Sequence, residues 1–345
     1  MNIDALIEEA ANLGASDVHL VAGQPPKLRI DGALKNMPGV DALSDEDCEG
    51  LAMTLSGRAL PDCGERDLAV YSAGHRLRVN LFRRQGKVSC ALRILADEIS
   101  ELEQLGLPPV VHDFPLLQRG IVLVTGETGS GKSTTLAAIL HRINETRDEH
   151  ILTLEDPIEY VHTPARCLIN QREIGRDTAS YADGLRAALR EDPDVILIGE
   201  MRDLETIETA LTAAETGHLV FATLHTNSAA DSIDRIVDVF PAERQKQIRM
   251  QLSMTLQAVL AQQLLPKREG GRVAACELMV VSSAIRNLIR EGKTPQIANA
   301  VATTASLGAI TMDNAILKLY KEHLITAETA IGAAHDMDYV KKSVR

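Results

Sequence analysis

Ile3, Leu6, Ile7 and Ala10 fall on one stripe of a 3.6-residue period, so a helix is expected from Ile3 to Leu13, stopped at Gly14. Val18 to Val21 reads as a strand. Lys27 to Ile30 and Ala33-Leu34 read as the arms of a hairpin, because Asp31-Gly32 between them suits a tight primed turn. Ser44 is the expected N-cap of a helix reaching Leu55. Two further strands, Arg76 to Phe82 and Val88 to Leu95, are separated by Gly86. These elements predict a small α/β domain over residues 1–100.

The pattern then changes. Pro108, Pro109 and Pro115 interrupt any regular period, which makes 101–118 the candidate linker. From Gly120 onward strands and helices alternate. Ile121 to Thr125, Ile151 to Leu154, Val195 to Ile198 and Leu219 to Leu224 predict strands. The run Val195 to Ile198 is apolar without alternation, as in a strand covered on both faces. Lys132 to Asn144 and Tyr181 to Arg190 predict helices, and Asp203 is the expected cap of another. Such βαβ alternation implies a mainly parallel sheet. Residues 241–345 are expected to be mostly helical. A long helix opens at Pro241 and carries Ile248, Leu252, Leu256, Val259 and Leu260; shorter ones cover Ala284 to Glu291 and Met312 to Lys321.

Composition narrows the reading. The 345 residues suit two domains. No apolar run is long enough to span a membrane, and the acidic start lacks a signal-peptide layout, so a cytosolic protein is expected. The net charge of −12 argues against a general nucleic-acid binder, as does an aromatic content of 3%, which supplies few base-stacking platforms. The five cysteines are scattered without a C-x-x-C pair, so reduced thiols are expected rather than a zinc site or disulfide framework.

The chemistry begins at Gly126. Gly126, Gly131, Lys132 and Ser133 complete G-x-x-x-x-G-K-[ST], with a strand before and a helix after, the context of a phosphate-binding loop. The loop (Gly126, Thr128, Gly129, Ser130, Gly131, Lys132, Ser133 and Thr134) is expected to cradle a nucleotide. Its N–H groups and the helix N-terminus supply positive charge, and Lys132 reaches the β- and γ-phosphates. The Ser133 hydroxyl is the candidate Mg²⁺ ligand. Glu127 is anomalous: a carboxylate inside the loop must turn away from the phosphates or weaken binding.

Hydrolysis also needs acidic groups. Glu155 and Asp156 follow one strand and are candidates for the metal and its waters. Glu200 follows Val195 to Ile198 and is the candidate that polarises the attacking water. In a parallel sheet both strand ends open on the crevice that holds the P-loop. His218 and His225 flank Leu219 to Leu224; each is either a γ-phosphate sensor or a structural residue.

Taken together, these segments resemble the secretion-ATPase superfamily, most closely its type IV pilus retraction ATPases. ASDVHL at 15–20 and RVN at 78–80 are similar to the N-terminal domain of that family, GETGSGKST to its Walker A loop and ILTLEDPIEYVH at 151–162 to its Asp box. REDPDVILIGEMRDLET at 190–206 is similar to its Walker B segment, TGHLVFATLHT at 216–226 to its His box and AIRNLIREGK at 284–293 to its retraction motif. The resemblance implies an α/β fold: a PAS-like domain over 1–100, the linker, and a RecA-like P-loop domain with a mainly parallel sheet over 119–345, its last part helical. It implies an ATP- and Mg²⁺-dependent homohexamer with Glu200 as catalytic base, Glu155 and Glu159 as Asp-box groups and His225 as the His-box residue. Arg78 and Arg93 match best the arginines that reach the nucleotide from the N-terminal domain. The implied partners are an inner-membrane pilus platform protein and a paralogous retraction ATPase. Membrane attachment at the cytoplasmic face would then run through partners, and nucleic acid has no part.

Two features depart from the family pattern. Glu127 stands where the loop usually carries Pro, and the stretch after residue 294 matches less well. Pilus extension and type II secretion ATPases usually carry a zinc-binding cysteine quartet and a longer N-terminus; neither is seen here, which favours retraction. The rival readings are another secretion or conjugation ATPase, a RecA-like nucleic-acid motor, and a nucleotide-gated regulator with little turnover.

Overall fold

The computed structural model describes residues 2–30, 32–61, 63–95 and 99–344. They form two compact units. One comprises Met1–Glu98 with Pro157–Val161; the other comprises Ile99–Asp156 and His162–Arg345. Among the described residues no helix is long and apolar enough to cross a membrane.

The first unit starts with α1 (Ile3–Asn12), whose N-cap Asn2 accepts the Asp4 N–H and whose Ile3, Leu6, Ile7 and Ala10 are buried. Strands β1 (Asp17–Val21), β2 (Lys27–Ile30) and β3 (Ala33–Asn36) follow, then α2 (Asp45–Ser56). Ser44 and Asp47 cap α2 reciprocally, and Gly57 ends it at φ 67°. Strands β4 (Glu65–Ser72), β5 (His75–Arg84) and β6 (Lys87–Ile94) complete an antiparallel sheet in the order β3-β2-β1-β6-β5-β4. Leu20, Leu77, Leu81 and Leu92 are fully buried in its core. The expected Asp31-Gly32 turn includes Asp31, which lies outside the described residues, as do Asp97 and Glu98. Strand β4 was not foreseen, because its burial does not alternate.

In the second unit the order is β7 (Gly120–Thr125), α3 (Lys132–Thr146), β8 (His150–Glu155), β9 (Leu168–Glu173), α4 (Tyr181–Ala188) and β10 (Val195–Ile198). Next come α5 (Leu204–Glu215), β11 (Leu219–Leu224), α6 (Ala229–Asp238), α7 (Ala242–Thr255), β12 (Leu256–Pro266) and β13 (Arg272–Val280). The chain ends in α8 (Ser283–Glu291), α9 (Ile297–Thr303), α10 (Met312–Lys321), α11 (Ala327–Ala333) and α12 (Met337–Ser343). The sheet order is β13-β12-β7-β11-β10-β8-β9, parallel except for β13.

Alternate residues of the central strands feed different cores, as a two-residue period dictates. Leu123, Ile196, Ile198, Val220 and Ala222 pack with α5, α6 and α7. Val122, Val124, Val195, Leu197 and Phe221 pack with α3 on the other face. Residues 102–116, expected within the linker, hold two 3₁₀ helices, Leu102–Leu105 and Pro109–Leu116. Their Leu102, Val111 and Phe114 join the α3-side core.

One expectation is corrected here. The long helix from Pro241 ends at Thr255, and Leu256, Val259 and Leu260 belong to β12. Strands β12 and β13 form a long antiparallel hairpin on the sheet edge, so the helical C-terminal part begins beyond it. The terminal helices α10 to α12 have their own small core around Ile316, Ile325, Ala330 and Val340.

Candidate active site

Every residue of β7 is buried, and the chain leaves it at Gly126 with φ 139°. A Cβ there would lie 2.2 Å from the Gln262 carbonyl oxygen and 2.6 Å from Ser130 Oγ, so glycine is required. Gly131, at φ 92°, caps α3. Lys132 is 9% exposed, and its Nζ donates to the carbonyls of Gly126 at 2.7 Å and Glu127 at 2.8 Å. The ammonium is thus held within the arc of the loop, at the positive end of α3. Ser133 and Thr134 lie half-buried in the first turn of α3. Glu127 is exposed. With Thr128, Gly129 and Ser130 it lines a cleft of about 320 Å³ whose other walls include Asn227, Gln262, Met312 and His335. Among the described residues, Lys132, Ser133 and Thr134 do not line that cleft.

Parallel pairing aligns four strand ends. Thr125 pairs with Leu224, and Ile198 pairs with both Ala222 and Leu154. The P-loop, the His225 loop, Glu200 and Glu155 therefore leave from the same edge. The alignment continues past the strands: Gly199 N–H donates to Leu154 O at 2.8 Å and Met201 N–H to Thr223 O at 3.1 Å. A Cβ on Gly199 would lie 3.0 Å from the Tyr181 hydroxyl and 3.1 Å from the Leu154 carbonyl oxygen, so the turn is tightly packed.

Glu200 is half-buried, with Arg202 Nη2 at 2.7 Å and His225 Nε2 at 3.3 Å from its Oε2. Burial disfavours its charge, but the hydrogen bond from Arg202 and the His225 ring outweigh burial and hold its carboxyl below the usual value. Glu155 Oε1 accepts from Thr153 Oγ1 at 2.6 Å and from Gln171 Nε2 at 3.3 Å. Asp156 is exposed. Burial raises the Tyr181 hydroxyl pKa, and Asp156, Glu200 and Glu155 raise it further, which marks these carboxylates as one negative cluster. Such a cluster of carboxylate oxygens has the donor chemistry that Mg²⁺ takes.

The structure thus gathers the P-loop, Glu155, Asp156, Glu200 and His225 on one sheet edge. Glu159 falls in Pro157–Val161 and groups with the first unit. Arg78 and Arg93 also belong to that unit. They are exposed and directly opposed across β5 and β6, hence on one face of the sheet. Arg93 Nε donates to Asp17 Oδ1 at 2.8 Å. Burial raises the Asp17 pKa, but Ser16 and Arg93 outweigh it and leave the carboxyl below its usual value. The residue that sequence reasoning missed is Arg202, two positions past Glu200, where the short MRD segment was the available signal. His218 Nδ1 lies 2.9 Å from the Ala213 carbonyl, to which it can donate, in a structural turn.

A glycine-wrapped ammonium and an ionised glutamate two strands away, on one edge of a parallel sheet, define a RecA-like nucleotide hydrolase. The chain belongs to the Type II/IV secretion system protein family, whose pattern it matches over residues 1–328. It is 48% identical to the type IV pilus retraction ATPase PilT of Pseudomonas aeruginosa, over 96% of this chain and 97% of that one. It is 35% identical to the type IV pilus ATPase PilU of the same organism, over 100% and 92% of the two chains. Among solved structures, the pilus retraction motor PilT with bound ADP superposes with a TM-score of 0.91 at 48% identity, covering 99% of both chains. The ATPase DotB of Legionella pneumophila superposes with a TM-score of 0.82 at 30% identity, over 95% and 94%. This chain is a secretion-family ATPase.

Proposed function

We propose that this chain is a hexameric motor that hydrolyses ATP to retract a type IV pilus, as its likeness to PilT over nearly all of both chains suggests. The observation that carries the hydrolytic half is Glu200, kept ionised on the strand edge that also bears the P-loop. In this reading residues 1–100 and 119–345 work as two domains joined by 101–118, and successive domain pairs close and open around ATP.

The roles follow from charge. Gly126, Thr128, Gly129, Ser130, Gly131 and Thr134 wrap the phosphates, and Lys132 exchanges its two loop carbonyls for phosphate oxygens. Ser133, Glu155 and Asp156 would hold Mg²⁺, which neutralises phosphate charge when bound. Glu200 orients a water and takes its proton, while His225, already 3.3 Å from that carboxylate, reports the state of the γ-phosphate. Glu159 assists from the Asp box. Arg78 and Arg93 approach from the N-terminal unit and neutralise charge as the phosphoryl group transfers, which couples closure to hydrolysis. Glu127 tunes affinity from the loop's exposed side. Force passes to an inner-membrane platform protein, with a PilU-like paralogue as a second partner, at the cytoplasmic face.

Deleting the gene in its host tests the reading: cells with excess, non-retracting pili support it, and normal twitching opposes it. The likeness to DotB favours one alternative, a related ATPase serving another secretion machine. Normal twitching with a secretion defect would select it.

A further inference from the structure

We propose that Glu277 is a positioning residue that ties the His-box exit to the C-terminal helices, so that a change at the phosphate-sensing loop moves the start of α10. The inference rests on the ATPase reading above and deepens it.

Glu277 lies on β13, outside every motif that carries the hydrolytic chemistry. One carboxylate oxygen accepts the N–H of Ala229 at 2.8 Å, and the other accepts the N–H of Met312 at 3.4 Å. Ala229 is the first residue of α6, four positions after His225. Met312 is the first residue of α10. The first N–H groups of a helix have no partner within it and carry the positive end of its dipole. One carboxylate therefore answers two helices at once.

Helix α6 does not need such an arrangement for capping, whereas α10 has no side-chain cap of its own. The usual device is a short polar side chain at the N-cap. Helix α6 already has one, since Ser228 accepts the Asp231 N–H at 3.1 Å. At α10 the N-cap Thr311 makes no side-chain cap bond. A glutamate from a third element joins both ends instead. Its environment makes the position costly: burial raises its pKa, the two N–H groups and His335 work against that, and Asp231 adds to it. Among the described residues no lysine or arginine forms an ion pair with it. Glu277 is half-buried, and the two backbone N–H groups are the donors that compensate its carboxylate there.

The His-box side of this joint is stiff. Thr226 Oγ1 and Ser232 Oγ lie 2.7 Å apart, and Ser232 Oγ donates to Ser228 O at 2.7 Å. These two bonds cross-link residues 226–232, and Glu277 bonds that segment's Ala229 to β13 and α10. Asn227, Met312 and His335 line the same cleft as P-loop residues Glu127 to Ser130, so the joint and the loop share one cleft. Two residues separate the end of β13 from the start of α8.

The test is amide hydrogen exchange on the full chain with and without ADP, alongside steady-state phosphate release. In wild type, ADP should slow exchange both in the P-loop and at 312–316. In Glu277→Ala the P-loop protection should remain and the response at 312–316 vanish. Its kcat should fall roughly tenfold with KM within about threefold, because His225 loses its fixed backing. Glu277→Gln keeps one acceptor and should recover part of both readouts; it also serves if Glu277→Ala does not fold. Wild-type exchange at 312–316 that ignores ADP, or wild-type kcat in Glu277→Ala, would overturn the proposal. Absence of phosphate release by wild type would instead strike the ATPase reading itself.

Discussion

Strands β1 to β6 pair antiparallel throughout and present arginines on an exposed face, whereas β12, β7, β11, β10, β8 and β9 run parallel and deliver their chemistry to one edge. The difference follows from backbone direction. Parallel strands end together, so the segments that follow them converge, and both faces must be covered by helices. Antiparallel strands alternate their ends, so their side chains meet across a face instead. The second unit can therefore assemble P-loop, Glu155, Glu200 and His225 from segments up to 99 residues apart in sequence, counting 225 − 126. The first unit can offer only a surface, of which Arg78 and Arg93 are the charged part.

The sharpest way to break this contrast is to change each unit alone. Glu200→Gln keeps the shape of the edge but removes the proposed base, so kcat should drop by about 10²–10⁴-fold while ADP affinity holds. Phosphate release and ADP titration measure the two; an undiminished kcat would place the base elsewhere. Leu92→Ala hollows the core of the first unit and should cost about 2–5 kcal/mol of that unit's stability. Calorimetry should show its transition moving while binding to the P-loop persists. If both units melt together, they do not fold independently.

The same contrast explains what could be read in advance. The P-loop, β10 and β11 announce themselves through glycine spacing and unbroken apolar runs, which few other structures share. The hairpin β12–β13 did not. Leu252, Leu256, Val259 and Leu260 repeat at helical intervals, and local pattern carries α7 straight on. Pairing of β12 with β7 on one side and β13 on the other ends the helix at Thr255, a tertiary override invisible along the chain. Strand β9 was missed because four of its six residues, Asn170 to Glu173, are charged or amide groups, so no apolar pattern marks it. Arg202 was missed for a different reason: an arginine in a loop is ordinary until its partner is known, and the partner is Glu200 itself.

A smaller effect separates the units by pH. His162, in the second unit, is buried, and burial with help from His141 lowers its pKa to about 4. The unfolded chain takes up that proton near pH 6.5 and the folded chain resists until about pH 4. This group should therefore remove stability as pH falls through that window, by about 3 kcal/mol in all, with no contribution above it. Denaturant unfolding at pH 7 and pH 4.5 measures the slope, and His162→Gln should flatten it. The first unit should keep its slope in that variant.

The smallest effect bears on how the exposed face can work. Arg93→Ala removes the pair with Asp17, and because Arg93 is 61% exposed the loss should be only about 0.2–1 kcal/mol, less in high salt. The Asp17 pKa is lowered in the folded unit, so the pair contributes at neutral pH and its contribution fades as Asp17 protonates in acid. A weak pair is what the proposed role requires. An arginine that must leave Asp17 for a phosphate can do so only if the bond it breaks is worth less than the one it makes, and a charge-assisted contact to phosphate is worth more than an exposed ion pair. If thermal unfolding of Arg93→Ala instead revealed a loss of several kcal/mol, Arg93 would be committed to Asp17. The face would then be a scaffold, and the proposed role would fall to Arg78 alone.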